Sequence, residues 1–337
     1  ATLAHMASIS AGRTRKNGFI TLRGGVSRLP GTDAIFFGPP HCQARPFASD
    51  FLLLFGALSV ASGEPPENPH PDCRLARNDM KFVFSKYLVL PLVALGLAQS
   101  GLAQSLEAKL DEKTGTITIH RDGLAKPVVT QNAAADHRPY LHPITGPDGK
   151  GVFTQYSPGH HKHQTGIYWG FTRVNGRDYF HNPKGDYWKR KDVKVLEARG
   201  ESVKWETVYD LLDADGNAVL TETQRWSMSS ENDRHVLNLE WMGTGQTDVT
   251  VGKYPYGGLF VRMPWKKGIK GEAVNAARDT NRRAEGKRAM WLDVGMEIDG
   301  RDDWGHIAIF DHHKNQGYPQ PWRVDGQLGV GPVRARL

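Results

Sequence analysis

Fourteen histidines occur in the chain, and the eleven that follow Ala103 are concentrated in a few segments. The first is Arg138-Pro139-Tyr140-Leu141-His142-Pro143, the second is Gly159-His160-His161-Lys162-His163-Gln164-Thr165-Gly166, and the third is Asp311-His312-His313. Imidazole titrates near neutrality, so two rings on one side of a segment can divide acid and base roles or bind a metal. If the second segment runs extended into Ile167-Tyr168-Trp169-Gly170, His161 and His163 point the same way, because strand side chains alternate. Acid–base chemistry is therefore expected from His161, His163 and His142, with Glu222 as the carboxyl. The other reading of the same segments is a polar loop whose histidines only hydrogen-bond. No metal is expected. One would need His161, His163 and a third ligand from His142, Asp311 or His312, and the spacing selects none of these.

A second constellation is Tyr254-Pro255-Tyr256-Gly257-Gly258-Leu259-Phe260-Val261-Arg262. The glycine pair lets the backbone approach a ligand or bulge a strand, and Arg262 could clamp a carboxylate or hydroxyls. Arg138 and Arg262 are the candidates for orienting ligand oxygens, with Tyr168, Trp169, Tyr256, Asp311 and His312 lining the site. Trp169, Trp188, Trp265 and Trp322 are candidates for stacking on sugar rings, although most of the nine tryptophans must be core. A β-bulge carrying a surface arginine explains the glycine pair equally well. The sequence holds no Ser-His-Asp motif, phosphate-binding loop, dinucleotide fingerprint or zinc-protease helix.

The elements that must position these residues are strands. Val193–Arg199, Ser202–Leu212, Ala218–Met228 and His235–Met242 are strand-length runs separated by turn chemistry. Val203, Trp205, Thr207 and Tyr209 share one face, while Lys204, Glu206 and Asp210 share the other. Gly115–Arg121 is a further strand, and Ile167–Val174 runs into Asn175-Gly176, a strong hairpin signal. Thr247–Tyr254, Leu259–Met263, Met290–Ile298 and His306–Phe310 follow. Glu272–Arg288 lacks an apolar stripe and reads as a long loop over one end of the sheets. So many short strands predict an all-β, antiparallel β-sandwich over residues 104–337, one that could lack a final strand or two.

Ahead of that body, Met80–Lys86 is a short basic segment, Tyr87–Ala98 an apolar one, and Gly101-Leu102-Ala103 a small-x-small site. Residues 80–103 thus read as a secretory signal peptide, which implies export to the periplasm or beyond. Residues 1–79 read as a leader assigned upstream of the true start, or as a disordered extension. They hold both cysteines, Cys42 and Cys73, so a body beginning at Gln104 has neither a disulfide nor a thiolate nucleophile.

The chain has 337 residues, with 43 Lys+Arg against 36 Asp+Glu. Residues 1–103 carry 10 bases and 6 acids and the body 33 and 30, so the net +7 is only +3 in the body. No basic stripe is interleaved with aromatics, and nucleic acid is excluded as a partner. The apolar runs Phe51–Val60 and Tyr87–Ala98 are shorter than the ~20 residues that cross a bilayer, so no membrane association is expected after signal cleavage. Nothing in the pattern speaks to oligomeric state.

Several of these motifs, in this order, resemble a known family. They are Arg138-Pro-Tyr-Leu-His142-Pro, His161-x-His163-x-x-Gly166, Asn175-Gly176 with Asp178-Tyr-Phe180, Tyr256-Gly-Gly-Leu-Phe-Val-Arg262, and Asp311-His with Tyr318-Pro-x-Pro-Trp322. The family is the secreted bacterial proteins of unknown function that carry the label "methane oxygenase PmoA", and the resemblance covers residues 115–337. It departs at Gln164, where many members carry a second histidine. The label implies a subunit of a membrane-bound methane-oxidising enzyme, which would need several spanning helices that this body lacks. The resemblance further implies a sandwich of the galactose-mutarotase type, common among carbohydrate-processing proteins. The expected function is acid–base chemistry on a carbohydrate or other small polar ligand, without a cofactor. The alternatives are a non-catalytic carbohydrate-binding module and a metal-dependent oxidoreductase or hydrolase.

Overall fold

A computed structural model describes residues 104–231 and 233–336, together with the backbone of residues 19–22 and 32–37. The signal segment at 80–103 and the rest of the leader lie outside the described residues.

Residues 104–336 are all-β, and every strand pairing is antiparallel. Among the described residues the helical turns are three short 3-10 turns, at Gly185–Tyr187, Asn281–Arg283 and Arg334–Arg336. Nine strands form one sheet, in the order Trp322–Val324, Gly329–Pro332, Gly258–Arg262, Ile167–Gly170, Tyr140–Ile144, Val129–Asn132, Thr116–Arg121, Leu106–Asp111 and Arg199–Gly200. The other large sheet runs Gly271–Asn275, Trp291–Glu297, Trp304–Phe310, Thr32–Phe37, His235–Gly245, Ala218–Ser230, Ser202–Leu212 and Trp188–Glu197. Thr32–Phe37 pairs antiparallel with both His235–Gly245 and Trp304–Phe310, and Phe19–Leu22 pairs with Val249–Gly252. No helix among the described residues is long and apolar enough to cross a membrane.

Alternation along each strand sends one set of side chains between the sheets. Val203, Trp205, Thr207 and Tyr209 are buried, as their spacing requires, while Lys204 on the opposite face is exposed. Glu206 shares that outer face, and Lys194 and Arg225 cover it at 2.9 and 2.5 Å. Trp169 of the nine-stranded sheet stacks on Trp241 of its neighbour, with centroids 4.7 Å apart and planes at 16°. Trp205 donates its indole N–H to Gln131 across the same interior at 3.1 Å. Buried residues of both sheets thus belong to one core.

The Asn175-Gly176 hairpin forms as its sequence requires. Both residues have positive φ, 49° and 82°, and Val174 and Arg177 exchange backbone hydrogen bonds at 3.0 and 2.9 Å. Gly176→Ala places a Cβ in the left-handed region and is expected to lower stability by about 1 kcal/mol, read as a shift in the urea midpoint. An unchanged midpoint would mean that this turn carries no such constraint. Glu272–Arg288 differs from its expected loop. Gly271–Asn275 is an edge strand against Trp291–Glu297, with Ala273 buried, and a 3-10 turn follows. Only one residue of that strand's inward face is apolar, too few to register as a period.

Candidate functional site

Ile167 and Trp169 point into the core, so Tyr168 between them points out of the nine-stranded sheet. Leu259 and Val261 likewise face inward, leaving Phe260 and Arg262 on the outer side, and Leu141 faces inward between Tyr140 and His142. Tyr168, Phe260 and the loop residue Phe180 make a second apolar cluster there, with Tyr140 and Tyr256 packed against it. The site is built on that cluster.

Each of two loops brings an imidazole onto it. In the first, Pro158-Gly159 starts a turn, with the His161 and Gln164 amides donating to the Pro158 and His161 carbonyls at 2.9 and 3.0 Å. The segment is therefore not extended. The turn still holds the rings of His161 and His163 5.7 Å apart, while His160 packs edge-on against Trp265 at 5.2 Å. In the second loop, Asp178 Oδ1 accepts the amides of Phe180 and His181, both at 3.0 Å, and Asp178 Oδ2 bonds His181 Nδ1 at 2.7 Å. His181 Nε2 then meets the Tyr256 hydroxyl at 3.1 Å. With the proton on Nδ1 donated to Asp178, Nε2 accepts from the phenol. Asp178, His181 and Tyr256 form one hydrogen-bonded chain, and the His163 ring lies 4.5 Å from that of His181.

Electrostatics divide the roles. Burial, reinforced by the nearby His181 and Arg138, pulls His163 down to about 3, so it is an uncharged imidazole at neutral pH. Burial and then Arg262 lower His161 as well. Burial works to raise the Asp178 carboxyl, but the bonds from His181 outweigh it and hold the group below its usual value. Burial, with a contribution from Tyr254, pushes the Tyr256 phenol above its ordinary value, so it stays protonated. The pair thus offers a neutral base beside a protonated phenol backed by a histidine and a carboxylate.

Two arginines expected to touch ligand instead hold the loops. Arg138 is fully buried, with its guanidinium 3.7 Å above the Tyr168 ring. It donates to the carbonyls of His163 and Phe180, both at 2.6 Å, and to Thr165 Oγ1 at 3.2 Å. One side chain therefore ties together the loops that carry His163 and His181. Arg262, also fully buried, donates to Gln164, to the Gln327 carbonyl at 2.5 Å and to Asp325 at 2.7 Å. These guanidiniums are consumed by the protein, and the expected ligand-orienting role gives way to positioning.

The other expected residues separate. His142 joins the face, bonded to Thr154 at 2.9 Å and stacked on Tyr156, with burial lowering its pKa. Tyr168 is the buried floor of the cluster rather than an open platform. Trp169 faces the core, where it packs on Trp241, and Trp188 and Trp322 are buried too. Glu222 lies in the other sheet, within the interior, accepting from Trp241 and Gln224 at 2.7 Å each. Burial raises it to about 7, but it is not brought to the histidines. Asp311 accepts from Asn315, the Gln320 amide and Arg334, and the Arg334 amide donates to Gly257 beside Tyr256. The glycine pair is not a bulge with a surface arginine. Gly258 pairs in unbroken register with Gly170, Arg262 is buried, and a Cβ on Gly258 (φ 110°) would meet Arg334 at 2.6 Å, so the glycine admits a close approach of that side chain. His312 stands against His313, with ring centroids 4.5 Å apart. Among the described residues no three His, Cys, Asp or Glu side chains converge in a way that could hold a metal ion.

Sequence reasoning did not single out Asp178 and His181 as a pair. The signal was there in Asp178-x-x-His181, directly after the Asn175-Gly176 turn, a spacing that lets one carboxylate cap two amides and reach the imidazole. Tyr140, Tyr156, His137 and Asp325 were also passed over.

An antiparallel all-β sandwich, with imidazoles and phenols on the outer face of one sheet, is thus the class this fold and site define. Within it, the chain belongs to a family of unknown function, DUF6807, whose model matches residues 116–336. No curated protein and no solved structure matches the chain.

Proposed function

We propose that this protein is an exported acid–base enzyme acting on a carbohydrate or a closely related polyhydroxylated ring. The observation that carries the reading is the Asp178–His181–Tyr256 chain beside the uncharged His163. Tyr256 gives its proton to a substrate oxygen. The proton that His163 takes from the substrate then returns through solvent to His181 Nε2 and on to the phenolate, which restores the phenol, and Asp178 steadies the imidazolium that forms on the way. Among the described residues the His163 ring nitrogens have no hydrogen-bond partner, which leaves them to take a proton from the substrate. The galactose-mutarotase type of sandwich implied by the family resemblance, and the signal-like segment at 80–103, agree with this reading.

The test is turnover. A panel of mono- and disaccharides is incubated with the protein and followed by NMR for loss of starting sugar or exchange at the anomeric centre. Turnover is expected for the wild type, with Tyr256→Phe and His181→Ala each slowing it at least ~100-fold, the usual scale for losing a general acid or its relay. Sugars bound without reaction would make the site a non-catalytic carbohydrate-binding module. Sugars neither bound nor changed would end the carbohydrate reading.

A further inference from the structure

A hollow of about 460 Å³ opens beside the histidine face, within the ~300–1,000 Å³ usual for small-ligand sites. Tyr140 forms the shared wall. On one side it packs against the Tyr168–Phe180–Phe260 cluster, whose Phe180 touches both His163 and His181. On the other side it lines the hollow with Tyr156, its ring centroid 5.3 Å from that of Tyr156 and 5.3 Å from that of His137. We infer that this hollow is a second subsite, holding a further neutral sugar ring of the same ligand, so that the substrate is a disaccharide or longer. The inference rests on the carbohydrate reading above and narrows it.

Three features of the lining specify a neutral polyhydroxylated ring. Tyr156 is 41% exposed even with His142 and Tyr140 packed against it, so part of its ring is open, and aromatic rings pack against the apolar face of a sugar. Thr116 and Asn132, register partners on adjacent strands, also line the hollow. Thr116 Oγ1 accepts from Thr114 at 2.9 Å and Asn132 Nδ2 donates to the His142 carbonyl at 2.6 Å, which leaves the Thr116 hydroxyl proton and the Asn132 Oδ1 for sugar hydroxyls. The charges at the rim cancel, because Lys184 and Asp136 are both exposed there with opposite signs. His137 adds no charge. Its Nδ1 donates to the Arg138 carbonyl at 2.8 Å, so Nε2 is an acceptor, and burial with the nearby Arg138 lowers its pKa. An anionic substituent would find no net positive charge here. The wider hollow of 890 Å³ elsewhere on the body, walled by Leu124, Pro127, Pro143 and Ile269, has no aromatic face and no imidazole.

Isothermal titration of the full chain with glucose, galactose and fructose, and with cellobiose, maltose, lactose and sucrose, tests the subsite. The best-bound disaccharide is expected to bind at least tenfold tighter than its own monosaccharides. Thr116→Trp, which fills the hollow, and Tyr156→Ala, which removes its open face, are each expected to bring that disaccharide down to monosaccharide affinity. Tyr156 lies at the surface and outside the core, so its truncation keeps the test alive should the tryptophan variant misfold. Equal affinity for mono- and disaccharides, or variants that leave disaccharide affinity unchanged, would overturn the second subsite while leaving the carbohydrate reading standing. Binding of none of the seven sugars would remove both.

Discussion

Replacing Asp325 with alanine is expected to destabilise the fold by about 3–5 kcal/mol, the range for stranding one partner of a buried ion pair. The Arg262 side chain is 0% exposed and that of Asp325 7%, with Nη2 and Oδ2 2.7 Å apart. The guanidinium's other bonds, to Gln164 and the Gln327 carbonyl, are with neutral groups, so the carboxylate supplies the counter-charge in direct contact. Asp325 Oδ1 also accepts the amides of Gln327 and Gly329, at 2.9 and 2.8 Å, and alanine leaves both unpaired. The double variant Arg262→Met/Asp325→Ala removes the orphaned charge and is expected to recover part of the loss. Urea midpoints of the three variants decide the matter. A single Asp325→Ala within about 1 kcal/mol of wild type would mean that water reaches the guanidinium. The damage should also reach the site, since Gln164 lies next to His163 and depends on Arg262 for its position. The His163 ring resonances should broaden in Asp325→Ala even where the fold survives.

Most of the long strands were legible from their alternation, but Leu106–Asp111, six residues with Leu106 and Ala108 buried, alternates as clearly and was missed. Ser202–Leu212 coincides with its expected limits, and Ala218–Ser230 and His235–Gly245 extend theirs by only a few residues. The other strands that sequence missed in the body are short or interrupted. Val129–Asn132 and Gly329–Pro332 have four residues each, and Tyr140–Ile144 contains Pro143, so none offers enough period to detect. The site was legible as a set of segments but not as a set of roles. His163 and Tyr256 fall within the motifs that suggested them, yet the partner between them, His181, is marked in sequence only by its spacing from Asp178 and meets His163 only when Arg138 draws two loops together. Arg138 and Arg262 misled for the same reason. A charged residue in an apolar motif reads as a ligand contact, and sequence gives no sight of the backbone carbonyls that consume it. Trp169 was misplaced by one step of alternation. It neighbours Tyr168 on the strand, and neighbours on a strand face opposite ways.

Stability should peak near pH 6 to 6.5 and fall steeply in acid, through two buried histidines opposed by one buried carboxyl. His235 is 0% exposed, and burial, with a smaller push from Arg121, pulls it from 6.5 to about 3. Between those values the unfolded chain binds a proton that the folded chain refuses, so each pH unit of acidification costs up to about 1.4 kcal/mol. His163 acts with the same sign, more weakly because it is only half-buried. Glu222 acts oppositely. Burial raises it from 4.5 to about 7, so its stabilising protonated form is fully present below 4.5 and lost as pH rises through 7. Between about pH 4.5 and 6.5 the carboxyl offsets one histidine and the profile is shallow. Below about 4.5 Glu222 is protonated in both states, the offset ends, and both histidines act unopposed. Urea midpoints from pH 4 to 8 should trace that shape. His235→Gln should remove about one proton's slope from the acid limb, and Glu222→Gln should erase the decline between pH 6.5 and 8. Equal midpoints at pH 4 and pH 7 in Glu222→Gln, where no raised carboxyl offsets the histidines, would show that water reaches both imidazoles, and with that the uncharged His163 on which the acid–base reading depends would be lost.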